Sequence, residues 1–168
     1  MFELKPLSKA AIPAALAKAE RYRLLNQPMS AASICEDILH VDPDRHDALV
    51  TWILALTELF SESNTTTVLS QAQDLVHRLP TDYERAYYSG IICERRGWAL
   101  LSHATPGAGV LAYDWLRDAM RCYERAESMR PADNDDAILR WNTCARLLMQ
   151  HPQLHERVDE PHMPFTLE

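Results

Sequence analysis

The sequence predicts an all-α protein in which successive helices form pairs. The chain has only four glycines in 168 residues, and nowhere sustains the polar–apolar alternation of a sheet. One segment places Ala119, Tyr123 and Ala126 at helical spacing. Small residues let a helix lie close against its neighbour, and a ring fills the space that remains. A proline closes each predicted pair, because proline cannot continue a helix: Pro43, Pro80 and Pro131.

Seven helices are predicted in order along the chain. Their approximate limits are Ser8–Leu25, Met29–Val41, Pro43–Phe60, Thr66–Leu79, Thr81–His103, Trp115–Arg130 and Ala137–Gln150. We expect the third helix to be enclosed by neighbours, because its apolar residues extend most of the way round it.

Polar and proline residues set the predicted helix ends. Thr81 with Glu84 three residues later is a capping box, in which each residue bonds the other's backbone N–H. Asp42 is expected to cap the third helix, with Pro43 in its first turn. The remaining breaks are Asn26–Pro28, the loops Ser61–Thr67 and Thr105–Gly109, and the cap Asp133–Asp136.

Composition and charge limit the function classes. A formal net charge of −7 is unsuited to binding phosphate groups, so we expect no nucleic-acid partner. The sequence contains no stretch of about eighteen apolar residues, so we expect no membrane span, and the N-terminus lacks a secretory pattern. We read the four cysteines as buried apolar residues, which fits a reducing cytoplasm. The expected domains are a helical repeat domain, 1–150, and an extended acidic tail, 151–168.

Over residues 12–150 the chain resembles the tetratricopeptide repeat family. The third pair matches best, and the second is degenerate, with only Trp52, Ile53 and Leu56 at matching places. The seventh helix, with Trp141, resembles the family's capping helix. The residues carrying the resemblance are Ala19, Tyr22, Ala31 and Pro43 in the first pair, and Gly90, Cys93, Gly97, Ala119, Tyr123, Ala126 and Pro131 in the third.

The resemblance implies a right-handed α-solenoid that binds a partner protein in its concave groove. In this family the first helix of each pair lines that groove. The family's carboxylate clamp for chaperone tails is absent, because its places hold Leu16, Glu20, Thr51, Glu84 and Tyr88. We expect an apolar groove with an acidic edge, suited to a peptide or amphipathic helix with some positive charge. The candidate groove residues are Leu16, Glu20, Arg23, Asp47, Val50, Leu54, Glu84, Tyr87, Ile91, Glu94, Ile138 and Asn142.

Within this groove the two neighbouring tyrosines of the fifth helix are predicted to differ. Tyr87 is expected to be an exposed contact residue, and Tyr88 a core residue, because they point about 100° apart around the helix. Two alternatives to an open groove remain: the seventh helix or the tail covers it, or exposed apolar faces at the array ends form a homodimer.

Catalytic and metal chemistry have weaker support in the sequence. The tail histidines 151, 155 and 162 are interrupted by prolines, and no metal-ligand or nucleophile motif occurs. We therefore expect no enzyme activity, no metal and no cofactor. Asn64 with Thr66 matches a glycosylation acceptor, but we interpret this segment as a capping loop.

Overall fold

The structure is a computed structural model that describes residues 2–61, 65–102 and 106–155. Over these residues the chain is entirely helical, as predicted, with seven α-helices and no strand. A short 3-10 turn, Lys9–Ala11, precedes the first helix. The helices are α1 Ile12–Leu24, α2 Pro28–Val41, α3 His46–Glu58, α4 Thr65–His77, α5 Asp82–Ser102, α6 Ala108–Ser128 and α7 Asp136–Gln150.

Two predicted helix boundaries are wrong. Pro43 does not open α3, because residues 42–45 form a turn in which the Arg45 N–H bonds the Asp42 carbonyl at 3.1 Å, and the helix begins at His46. α6 begins at Ala108, well before Trp115. It can begin there because Gly107 adopts a φ of 80°, a conformation that glycine tolerates without strain. His103–Thr105 lie outside the described residues, as do positions 62–64.

Two predicted caps are present. The Glu84 N–H donates to the Thr81 hydroxyl at 3.1 Å, and the Thr81 N–H donates to the Glu84 carboxylate at 3.3 Å, which is the reciprocal pattern of a capping box. At the start of α7, Asn134 is the residue that caps, since its Oδ1 accepts the Asp136 N–H at 3.0 Å. Short-range sequence signals therefore fixed these helix starts.

Helices adjacent in sequence pack against each other along the whole series, and α3 also contacts α1 and α5. Arg23 and Glu58 join the last turns of α1 and α3, whereas His46 and Glu84 join the first turns of α3 and α5. Because like ends meet, α1, α3 and α5 run in the same direction. We call α1, α3, α5 and α7 the odd-numbered helices and the surface that they share the odd-helix face.

α5 and α6 form the most extensive helix contact, which we call the α5–α6 seam. A Cβ added at Gly90 would lie 2.5 Å from the Tyr123 ring, and one added at Gly97 would lie 2.9 Å from Leu116. The Tyr123 side chain is fully buried. The predicted role of this ring as the central residue of the pair is thus confirmed, and the glycines provide the space for it.

The chain immediately after α7 returns to the core. Leu154 is buried and its side chain lies beside Gly109 of α6, where an added Cβ would be 3.5 Å away. Residues 151–155 are therefore anchored at Leu154. The rest of the predicted acidic tail, 156–168, lies outside the described residues.

Candidate functional site

The structure divides the twelve predicted groove residues into three groups. Leu16, Ile91 and Glu94 are buried, and the last two are only 2% and 3% exposed, so their predicted exposure in a groove is wrong. Glu20 and Asp47 are exposed. The partly exposed residues are Arg23, Val50, Leu54, Glu84, Tyr87, Ile138 and Asn142.

Pairs of polar side chains connect the odd-numbered helices at each step. Arg23 of α1 lies 2.7 Å from Glu58 of α3, and His46 of α3 lies 2.6 Å from Glu84 of α5. Two of the predicted groove residues, Arg23 and Glu84, are therefore engaged in bonds between helices, and Glu94 is a third, through Arg140 of α7. The predicted acidic edge consequently retains Glu20 and Asp47 as its exposed carboxylates.

The third step is a network around the buried Glu94 carboxylate. The Tyr123 hydroxyl donates to its Oε2 at 2.6 Å, and the Arg140 guanidinium of α7 donates to its Oε1 at 3.1 Å. The Arg140 guanidinium also acts on the Tyr87 phenol, whose pKa it lowers against the larger effect of burial. A buried carboxylate needs such partners, because desolvation of an unpaired charge is costly. α7 thus covers part of α5, as one of the alternatives allowed.

Four tyrosine rings gather on and beside α5. Tyr87 is stacked on Tyr83 with ring centroids 5.9 Å apart, meets Tyr88 edge-on at 5.2 Å, and lies 6.0 Å from Tyr123. Burial raises the pKa of each phenol further above neutral pH, to about 12 for Tyr88. The Tyr83 hydroxyl also donates to Asn134 at 3.1 Å and so fixes the start of α7 against α5.

The predicted contrast between Tyr87 and Tyr88 is not sharp. Both are partly buried, and Tyr88 packs against both core clusters. Tyr87 contacts the rings of Tyr83 and Tyr123, so Tyr87→Ala would lower stability as well as remove an exposed ring. The 100° separation was correct, but a ring large enough to reach its neighbours packs on both sides.

Glu84 has two structural roles at the start of α5. Burial pushes its pKa up, but hydrogen bonds from Thr81 and His46 outweigh that effect and hold the pKa below its usual value. The ionised form is therefore the one that the fold stabilises. By linkage this contribution is present at neutral pH and is lost as the pH falls through the lowered pKa.

Sequence reasoning missed the residues that complete these pairs. His46, Glu58 and Arg140 were not singled out, although they hold Glu84, Arg23 and Glu94 respectively. One signal was available for Glu94. It lies four residues after Gly90 and three before Gly97, which places all three on one face of α5, the face of the seam.

The described residues contain neither a cluster of metal-ligating side chains nor a helix that could span a membrane. Over 2–61, 65–102 and 106–155, no three His, Cys, Asp or Glu side chains come together as a metal site requires. His162 lies outside these ranges. In the same part of the chain, no helix is both long and apolar enough to cross a bilayer.

Comparisons with protein-family models, with curated proteins and with solved structures find no match to this chain. The function must therefore be argued from the residues themselves.

Proposed function

We propose that this protein is a non-catalytic protein-interaction module with a right-handed, tetratricopeptide-like solenoid fold, which binds a peptide or amphipathic helix on its odd-helix face. Two features support the solenoid: α1, α3 and α5 run in the same direction, and contacts join near neighbours in sequence. Of the twelve predicted groove residues, Leu16, Ile91 and Glu94 belong to the core. The proposed binding surface therefore comprises the other nine, which are partly or fully exposed.

The observation that carries the proposal is a rigid, half-exposed tyrosine between apolar and acidic side chains. Tyr87 is held by the rings of Tyr83, Tyr88 and Tyr123, and it therefore loses little conformational freedom on contact with a partner. Leu54 packs against the same cluster while remaining partly exposed. Glu20 and Asp47 supply the negative charge, and Asp47 also pairs with Arg45 at 3.1 Å. A segment with spaced apolar residues and Lys or Arg complements this surface.

The titratable groups of this face support a binding role over catalysis. Glu84 is engaged by Thr81 and His46, and Glu94 is engaged by Tyr123 and Arg140. The four tyrosines have raised pKa values and stay protonated near neutral pH, so no phenolate is present there to act as a base. All four cysteines are free, which agrees with a reducing, cytoplasmic location.

Selection from a displayed library of random peptides tests the proposal. We expect the selected peptides to be rich in Lys or Arg, with apolar residues at helical spacing. Against a synthetic copy of one such peptide, the double variant Glu20→Lys/Asp47→Lys should raise Kd about tenfold, because two attractive edge charges become repulsive. Fluorescence anisotropy gives the Kd.

The matched control is Glu36→Lys/Asp74→Lys, which makes the same change in net charge on α2 and α4. Both residues are exposed, as Glu20 and Asp47 are. We expect this control to leave Kd nearly unchanged. An equal loss in both variants would reduce the effect to nonspecific charge, and unaltered binding in the first variant would move the site away from the odd-helix face.

Self-association is a second candidate, favoured by exposed apolar side chains at both ends of the series. Leu24 and Met29 are 89% and 66% exposed near the α1–α2 turn, and Leu139 and Met149 are 62% and 80% exposed on α7. Large exposed apolar groups commonly mark interfaces. A homodimer through α7 should sediment at twice the 19.2 kDa chain mass, and Leu139→Glu/Met149→Glu should return it to a monomer. A wild-type monomer at high concentration would exclude this candidate.

A further inference from the structure

An aromatic stripe runs along α5 on the side that faces α7. Tyr83, Tyr87 and Trp98 lie within about 60° of one another around the helix, because residues four and eleven positions apart share a face. Tyr83 and Tyr87 are partly exposed and stack with their rings 11° from parallel, and Trp98 is 43% exposed. The Tyr83 hydroxyl donates to Asn134, just before α7, which places the stripe on the α7 side. We call these three aromatic residues the α5 aromatic stripe.

The tail contains a sequence of the kind that aromatic surfaces bind. Residues 161–164 read Pro-His-Met-Pro, so Pro161 and Pro164 are three positions apart. A polyproline II helix has three residues per turn, which puts both proline rings on one face. Segments of this PxxP type dock in aromatic-lined grooves and lose little entropy, because proline already restricts the backbone. The segment lies outside the described residues, and its extended form is the expectation from the sequence.

The described chain ends close to the Trp98 end of this stripe. Leu154 packs beside Gly109 at the start of α6, where an added Cβ would lie 3.5 Å from its side chain. Gly97 of α5 is level with Ala112 of α6, because a Cβ there would lie 3.3 Å from the Ala112 carbonyl oxygen. Gly109 precedes Ala112 by three residues, and α5 and α6 run antiparallel. Leu154 therefore lies about 5 Å beyond Gly97, toward the C-terminal end of α5.

The tail is long enough to bring its prolines to the two tyrosines. Tyr87 lies about 20 Å along α5 from the level of Leu154, at 1.5 Å per residue. Pro161 follows Leu154 by seven residues, which span about 22 Å in polyproline II form. Pro164 lies about 9 Å further along the tail, and Tyr83 lies about 6 Å further along α5. Leu154 also belongs to the core cluster on which both tyrosines pack, so the tail starts on the correct side of α5.

Charge favours the α5–α7 end of the odd-helix face for this tail. Asp159 and Glu160 directly precede the first proline of the segment. The Arg140 side chain of α7 is partly exposed, and its guanidinium carries five N–H donors, more than its bond to the buried Glu94 carboxylate uses. Arg140 therefore attracts the tail carboxylates, whereas the exposed carboxylates on α1 and α3 repel them.

We propose that the chain's own segment 161–164 docks on the α5 aromatic stripe, with Pro161 against Tyr87 and Pro164 against Tyr83. The short tether holds the segment near the stripe at an effective concentration on the order of millimolar, so weak contacts are sufficient. The docked segment covers Tyr87, one residue of the proposed binding surface, and an external peptide must displace it to reach that ring. The docking itself is a contact within one chain and needs no external partner.

Nuclear magnetic resonance of the full-length protein with 13C-labelled proline tests the docking. We expect nuclear Overhauser contacts from Pro161 to the Tyr87 ring and from Pro164 to the Tyr83 ring, with both proline signals shifted upfield by the rings. The single variants Pro161→Ala and Pro164→Ala assign the two signals. Free-chain shifts for both prolines, with no contact to either ring, would overturn the proposal.

A mixed sample distinguishes docking within one chain from docking between two copies. Chains with 13C-labelled proline and deuterated tyrosine are mixed with unlabelled chains, so that a contact from a labelled proline to a tyrosine ring can arise only between copies. We expect no such contact. Its presence would assign the stripe to the tail of a second copy and would overturn docking within the chain.

Two double variants of equal size test whether the prolines make the contact. In Pro161→Ala/Pro164→Ala, the ring signals of both tyrosines of the stripe should move, because the proline rings no longer cover them. The matched control His162→Ala/Met163→Ala keeps both prolines and should leave those signals nearly unchanged. Equal shifts in the two variants would contradict a proline-specific site. Neither measurement contains an external peptide, so a failure here would leave the Kd test of the odd-helix face intact.

Discussion

Tyr123→Ala is expected to lower the free energy of unfolding by about 3–5 kcal/mol, the usual cost of deleting a buried ring. The Tyr123 side chain is fully buried, and its ring fills the space above Gly90. A glycine cannot supply atoms to fill the vacated space, and the Glu94 carboxylate also loses its hydroxyl donor. Urea unfolding followed by circular dichroism measures the change. A loss below about 1 kcal/mol would show that the seam collapses around the cavity.

Tyr123→Phe separates the ring from the hydroxyl. It keeps the packing but leaves one Glu94 oxygen without its donor, so we expect a loss of about 1–3 kcal/mol. Gly90→Ala gives an independent check, because the added Cβ would clash with the ring. That substitution should destabilise the wild type but stabilise the Tyr123→Ala background, where space is open and alanine favours the helix.

Glu94→Ala is expected to lower the free energy of unfolding by about 2–4 kcal/mol. The buried Tyr123 hydroxyl loses its acceptor, which costs about 1–3 kcal/mol, and the missing methylenes leave a small cavity worth about 1 kcal/mol. Arg140 is partly exposed and can turn to water, so it adds little to the cost. Urea unfolding again gives the value.

The double variant Glu94→Met/Tyr123→Phe tests whether that cost comes from an unpaired polar group. It replaces both partners by apolar groups of similar size, and such exchanges are often nearly neutral. We expect it to be more stable than Glu94→Ala by at least about 1 kcal/mol. If the double variant were instead less stable than Glu94→Ala, the unpaired Tyr123 hydroxyl would not be the source of the cost of Glu94→Ala.

Local signals in the sequence were sufficient for the fold class and for most helix ends. The capping box of Thr81 and Glu84 and the spacing of Ala119, Tyr123 and Ala126 depend on residues a few positions apart, which sequence displays directly. The start of α3 was predicted wrongly at Pro43, because a proline after an aspartate suits a turn as well as the first turn of a helix. Here the Asp42 carbonyl accepts a turn hydrogen bond.

Bonds between distant helices could not be predicted in the same way. Glu58 lies 35 positions after Arg23, and Arg140 lies 46 positions after Glu94, so nothing in either local pattern specifies the partner. The groove prediction consequently treated Glu94 as an exposed carboxylate. It also treated Ile91 as exposed. Residues of α6 and α7 cover Ile91, and the pattern of apolar residues within α5 does not show where those helices pack.

The side-chain pairs between the odd-numbered helices also distinguish the native docking order from one that skips a helix. Arg96 follows Glu84 on α5 by the same twelve residues as Glu58 follows His46 on α3. If α5 docked on α1 in place of α3, Arg23 would therefore meet Arg96 where it now meets Glu58. Repeats of similar shape are prone to join out of sequence as the chain folds. An Arg–Arg contact in the arrangement that skips α3 would be repulsive and would disfavour it.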